Sequence, residues 1–152
     1  MIISFAGHAF VCSNSKVKET VKEQIKNNID LNEKVIFYLG GYGEFDEICA
    51  LACRELKQEY NNIELIYVTP YFGLSEQLKI KEMQKNGYCD MSIYPPIEKT
   101  PPRYAILKRN EWVVKNSDII IVYINHFYGG AYKSFQAAKR KGKKIINIYD
   151  LI

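Results

Sequence analysis

The strongest constraint on this chain is a set of short apolar runs that do not alternate polar with apolar, separated by segments of helical spacing. The runs are "IISFAG" (2–7), "KVIFYLGG" (34–41), "IELIYVTP" (63–70), "DIIIVYIN" (118–125) and "KIINIYDL" (144–151). A strand that is apolar at successive positions has to bury both faces, which parallel sheets covered by helices on each side achieve. Between the first two runs, Val17, Val21 and Ile25 recur at four-residue steps. Ser13 or Ser15 is placed to cap that helix. Phe45, Ile48, Leu51, Ala52 and Leu56 mark one face of a helix over 44–60. Residues 73–86, 103–116 and the stretch opened by Gly129 and Gly130 read as further helices. "YCDMSIY" (88–94) reads as a short strand or extended segment, and the prolines at 95, 96, 101 and 102 make 94–102 a loop. Strand and helix in alternation predict an α/β fold: one domain over 1–152, doubly wound, with a mainly parallel sheet and helices on both faces.

Composition excludes several classes. The 152 residues are 47% hydrophobic and 25% charged, an ordinary globular balance that one core accommodates. The net charge of +4 is mild, and its lysines are scattered apart from "KRKGKK" at 139–144. Nucleic-acid binders carry denser basic stripes, so nucleic acid is not the expected partner. "MIISFAGHAF" has no basic leader, and no run approaches a membrane span, so no membrane partner is expected. Cys12, Cys49, Cys53 and Cys89 lack framework spacing and suit reduced thiols in a cytoplasmic setting. Cys49 and Cys53, one helical turn apart, read as core.

In a doubly wound sheet, ligands bind outside the carboxyl ends of the strands, where the strand order reverses. Three glycine-bearing turns follow three of the predicted strands: Gly7-His8, Gly40-Gly41-Tyr42-Gly43 and Gly129-Gly130-Ala131. Two of them open helices, whose free N–H groups and dipole favour phosphate. The spacing matches neither the dinucleotide fingerprint nor the triphosphate P-loop, which disfavours NAD and ATP enzymes. No cofactor is expected.

Each candidate has a functional and a structural reading. Glu44 lies in a first helical turn, where the dipole stabilises a carboxylate; it would touch ligand through a ribose hydroxyl and repel a phosphate. Asp46 and Glu47 are adjacent on a helix and point about 100° apart, so they do not form one carboxylate pair. Either suits ribose hydroxyls or an oxocarbenium-like centre in N-glycosidic cleavage. Arg109 carries a planar fork suited to phosphate, or is a surface arginine, or a partner of Asp118; Arg103 is the runner-up. His8 and His126 follow corresponding strand ends and are expected to approach each other. A zinc site needs two more ligands that no cysteine pair supplies, so no metal is expected. Tyr42, Tyr71, Tyr128 and Tyr132 fall near the binding edge, where an aromatic face stacks on a base.

Taken together these stretches resemble the SLOG superfamily, which joins the Lonely Guy phosphoribohydrolases and the DNA-processing DprA proteins, and most of all its YspA/YpsA-like branch. "AGHAF" looks like that branch's first-strand element. "GGYGEFDEICALACRELK" resembles its glycine pair, Phe-Asp and alanine-rich helix. "IELIYVTPYFG" resembles its strand ending in proline and an aromatic, and residues 109–148 resemble its Arg-Asn helix, Ser-Asp strand and glycine-pair turn. The resemblance implies a Rossmann-like sheet, a nucleotide-type small-molecule ligand at the glycine turns, and a homodimer. On the Lonely Guy register Glu47 takes the catalytic glutamate's place, with Glu44 where that motif has threonine; on the other register Asp46 is the family's aspartate. Ala9 stands where the family has arginine, and Ala131 where it has threonine. The first expectation is therefore binding of a nucleotide or nucleotide-derived molecule by Gly7, His8, Gly40, Gly41, Tyr42, Gly43, Glu44, Asp46, Arg109, Gly129, Gly130 and Ala131. The alternative is a nucleoside monophosphate phosphoribohydrolase using Asp46, Glu47 and Arg109. A nucleic-acid module contacting through 139–144 ranks last.

Overall fold

The computed structural model describes residues 1–12 and 14–152. Its elements run β1 (Ile2–Gly7), α1 (Asn14–Asn28), β2 (Val35–Leu39), α2 (Glu44–Glu59), β3 (Ile63–Val68), α3 (Leu74–Lys85), β4 (Met91–Ile93), α4 (Ala105–Lys115), β5 (Ile119–Tyr123), α5 (Gly130–Arg140) and β6 (Lys144–Asn147). The six strands form one sheet in the order β4-β3-β2-β1-β5-β6, and every pairing is parallel. The chain builds outward from β1 to β4, then crosses back to place β5 on the other side of β1. The order therefore reverses between β1 and β5, and a crevice opens at their carboxyl ends.

The apolar runs explain the layers. Ile3, Phe37, Leu39, Leu65, Ile119 and Ile121 pack with α1 and α2 on one face. Ile120 and Val122 face the other way, against α4 and α5. Tyr38, Ile66 and Val68 share that second face with Trp112 and Val113 of α4. All five residues of β5 are buried, as its unbroken apolar sequence requires. Val17, Val21 and Ile25 are fully buried, which is why α1 holds its place: burial of each stabilises the fold by about 1.5–3 kcal/mol. Cys49 and Cys53 lie in the same core.

Three local expectations change. Ser15 lies inside the first turn of α1 and does not cap it, and Ser13 lies outside the described residues. The last strand stops at Asn147, whose side chain accepts N–H bonds from Ile124 and Tyr149 and turns the chain into a 3-10 helix over Ile148–Leu151. The 103–116 helix begins instead at Ala105, after a 3-10 turn at Pro102–Tyr104. Among the described residues no helix is long and apolar enough to cross a membrane.

Candidate functional site

A cavity of about 150 Å³ sits at the reversal point. Gly7 from the end of β1, Tyr42 and Asp46 from the β2–α2 corner, Arg109 and Asn110 from α4, and Gly130, Ala131 and Ser134 from α5 line it. Two of the three predicted glycine turns thus reach it through a glycine, and the third through Tyr42.

The corners differ in what they offer. Gly43 and Gly129 cap α2 and α5 with nearly the same backbone, φ 90 and 92°, a conformation that strains any residue with a Cβ. At α2 the helix end is occupied by its own chain. The Glu44 N–H donates to the Ala9 carbonyl at 3.0 Å, and Glu44, Asp46 and Glu47 crowd the first turn with carboxylates. At α5 there is no acidic residue in the first turn and no side-chain cap. Gly130 has open space around the position a Cβ would take. Of the two helix ends, α5 alone keeps its positive dipole end uncompensated.

Gly7 serves packing. A Cβ there would lie 2.3 Å from the Phe45 ring, so bare backbone lets α2 close onto β1. Glu44 is placed on the chain itself: its Oε2 accepts the Val11 N–H at 2.7 Å and its Oε1 the Asn14 amide at 3.2 Å. Glu47 is exposed and lines a different crevice, with Arg54, Tyr67 and Tyr88. The structure brings Asp46, and not Glu47, to the wall that Arg109 shares.

Arg109 is 2% exposed, which removes the surface reading. Asp118 does not partner it, since its carboxylate accepts the Ile2 N–H. Instead Nη1 of Arg109 donates to the carbonyls of Val68 at 2.6 Å and Gly40 at 3.0 Å, and Nε donates to Asn110. Its Nη2 makes no hydrogen bond among the described residues, and Arg109 lines the cavity. The guanidinium lies 5.4 Å over the Tyr42 ring. Burial pulls its pKa below the usual arginine value, and the nearby Asp46 charge opposes that shift.

Asp46 accepts the Tyr42 N–H at 3.1 Å. Burial pushes its pKa from 3.8 to about 7, against the opposing pull of the Tyr42 N–H and the Arg109 charge. A carboxyl titrating near neutrality on a cavity wall is suited to passing a proton.

His8 and His126 meet as expected. Their rings stack with centroids 3.4 Å apart and planes 12° from parallel. His8 Nε2 accepts the Asn125 N–H at 3.1 Å. Burial, and then the neighbouring His126, lower the pKa of His8. Among the described residues no group of three or more His, Cys, Asp or Glu is placed to hold a metal ion. Arg103 is exposed and rests near the Tyr104 ring, away from the cavity lining. The "KRKGKK" run spans the end of α5 and the start of β6, at the opposite edge of the sheet from the cavity.

Asn110 and Ser134 were missed by sequence reasoning. Ser134 had a legible signal, one helical turn beyond Gly130 on the same face. Asn110 had only its adjacency to Arg109, and nothing in the sequence shows that Arg109 reaches the carbonyl of Val68.

No family model matches the chain, and no curated protein matches it. Solved structures that resemble it include two DNA processing proteins. DNA processing protein A (DprA) from Streptococcus pneumoniae superposes with a TM-score of 0.62 at 16% identity, over 94% of this chain and 48% of that one. DNA processing protein A from Helicobacter pylori, described in its single-stranded DNA binding mode, superposes with a TM-score of 0.60 at 18% identity, over 95% of this chain and 63% of that one. The chain spans less than two thirds of either protein. At such identities the likeness is one of architecture: this chain has the Rossmann-like, doubly wound α/β fold of the DprA structures.

Proposed function

We propose that the cavity between β1 and β5 binds the phosphate and sugar of a nucleotide. The observation that carries this reading is the convergence of an uncompensated helix end, at Gly130 and Ala131, with a buried arginine whose Nη2 takes no acceptor among the described residues. The first supplies N–H donors and a positive dipole, the second a fixed full charge. Asp46, protonated for part of the time near neutrality, is the group for a ribose hydroxyl. The cavity is smaller than the roughly 300–1,000 Å³ that encloses a drug-sized ligand, so the base stays outside it. Calorimetric titration with AMP, ribose 5-phosphate and adenosine tests the reading. The first two should bind and adenosine should bind at least about tenfold more weakly, since it lacks the charge-assisted contacts. Equal affinity for adenosine and AMP would overturn it.

A second reading rests on the pKa of Asp46. A carboxyl poised near 7 beside the sugar position suits N-glycosidic cleavage, steadying an oxocarbenium-like centre or passing a proton, with Arg109 positioning the phosphate. Release of free base from AMP, abolished in Asp46→Asn, would establish it. Glu47→Gln should leave any such activity intact, because Glu47 faces another crevice. The Helicobacter pylori neighbour's single-stranded DNA suggests a third ligand form, since a nucleotide within a strand presents the same groups. The lysine run at 139–144 gives that form no support, because it lies at the far edge of the sheet.

A further inference from the structure

Four tyrosines stand near the rim, and their surroundings separate them. Tyr42 is half-buried beneath Arg109, with Lys79 also over its ring. Tyr132 is packed between Phe127 and Phe135. Tyr71 is 38% exposed and its N–H and carbonyl are tied to Thr69. Tyr128 differs from all three. Its ring stacks on His126 at 4.0 Å and 30°, and His126 stacks in turn on His8. The three rings form a column that rises out of the fold. His8 at its base is buried, His126 is half-buried, and Tyr128 at its outer end is 71% exposed.

The column is joined through the chain to two residues that line the cavity. His8 directly follows Gly7, and Tyr128 lies two residues before Gly130; both glycines line the cavity. One face of Tyr128 is held by His126, so the ring is oriented before any ligand arrives, and its other face is free. An ordered aromatic ring with one face open is a stacking surface, and the loss of side-chain freedom that stacking normally costs has already been met.

We infer that the outer face of Tyr128 is the stacking platform for the nucleobase of the ligand whose sugar phosphate occupies the adjoining cavity. This deepens the nucleotide reading and rests on it. Stacking on a single π-face reads no hydrogen-bond pattern, so the platform accepts any base and favours purines for their larger area.

The test compares AMP with ribose 5-phosphate, by calorimetry, on wild type, Tyr128→Ala and Tyr128→Phe. Tyr128→Ala should weaken AMP by about 5- to 100-fold and leave ribose 5-phosphate within about twofold, while Tyr128→Phe keeps wild-type affinity for both. Unchanged AMP affinity in Tyr128→Ala would overturn the inference while the cavity reading stands. So would an equal loss for both ligands, which would make Tyr128 a structural support of the loop. Absence of any ribose 5-phosphate binding to wild type would instead sink the cavity reading, and this inference with it.

Discussion

Nη1 of Arg109 donates to the carbonyl of Gly40 at 3.0 Å, so a side chain from α4 holds the backbone of the corner that opens α2. The same nitrogen holds the Val68 carbonyl at the end of β3. Arg109 therefore ties together three parts of the binding edge that are far apart in sequence. Arg109→Met leaves the buried Val68 carbonyl and the half-buried Gly40 carbonyl without their donor and should lower unfolding free energy by about 2–4 kcal/mol in urea titrations. Arg109→Lys should recover only part of this, because one ammonium cannot reproduce the fork. Wild-type stability in Arg109→Met would contradict the assignment.

Gly7 and Phe45 form a second coupled pair. Gly7→Ala places a Cβ 2.3 Å from the Phe45 ring, and the protein should lose about 1–3 kcal/mol to overpacking. In a Phe45→Ala background the ring is gone but the Phe45 Cβ, 2.6 Å from the added methyl, stays, so the same substitution should cost less without becoming free. A double-mutant cycle by chemical denaturation measures the coupling; strict additivity would show that the glycine is required for another reason.

Asp46 makes stability depend on pH in an unusual direction. Its folded-state pKa of about 7 lies above the ordinary 3.8, so the folded chain binds this proton more tightly than the unfolded one. The resulting stabilisation is fully present below about pH 4 and is lost as pH rises to about 7. Asp46→Asn keeps an acceptor for the Tyr42 N–H and removes the titration. Relative to wild type it should gain stability across that window, reaching about 4 kcal/mol at pH 8. Relative to Asp46→Asn, wild type should lose affinity for ribose 5-phosphate between pH 6 and pH 8 as its carboxylate ionises, a comparison in which the ligand's own second phosphate ionisation cancels. A stability difference that stays flat from pH 4 to 8 would show that Asp46 titrates as an ordinary carboxylate.

Glu44 is placed to fasten the loop after β1. Glu44→Ala frees the Val11 N–H and the Asn14 amide and should cost about 1–2 kcal/mol by thermal or urea unfolding. Affinity for ribose 5-phosphate should change by less than about twofold, since its carboxylate is committed to the chain. A large affinity loss with unchanged stability would return Glu44 to the ligand.

The layers of this fold were legible because burial on both faces leaves a mark in sequence: β5 is apolar at every position, and α1 repeats at four-residue steps. The place of the cavity was legible for the same reason, since a doubly wound sheet has its crevice at the strand ends. What was illegible was which of several similar groups reaches it. Glu44, Asp46 and Glu47 look alike in sequence, yet their helical angles send Glu44 to the loop after β1, Asp46 to a wall shared by the cavity and a second crevice, and Glu47 to that second crevice alone. Gly7 and Gly130 both follow or open elements at the rim, but only the packing of Phe45 shows that the first is a matter of helix contact. Arg109 was recognised through its resemblance, and its three backbone and side-chain partners depend on tertiary distances that spacing does not encode.

If the N-terminal end of α5 holds the ligand's phosphate, Gly130→Asp is the variant that tests it most directly. A Cβ at Gly130 meets no atom within 4 Å, and a first-turn carboxylate is favourable for the helix, so the variant should fold with wild-type stability. Calorimetric titration with ribose 5-phosphate should then show at least about a tenfold loss of affinity, from competition and repulsion at the helix end. Wild-type affinity for ribose 5-phosphate in a folded Gly130→Asp protein would contradict the account.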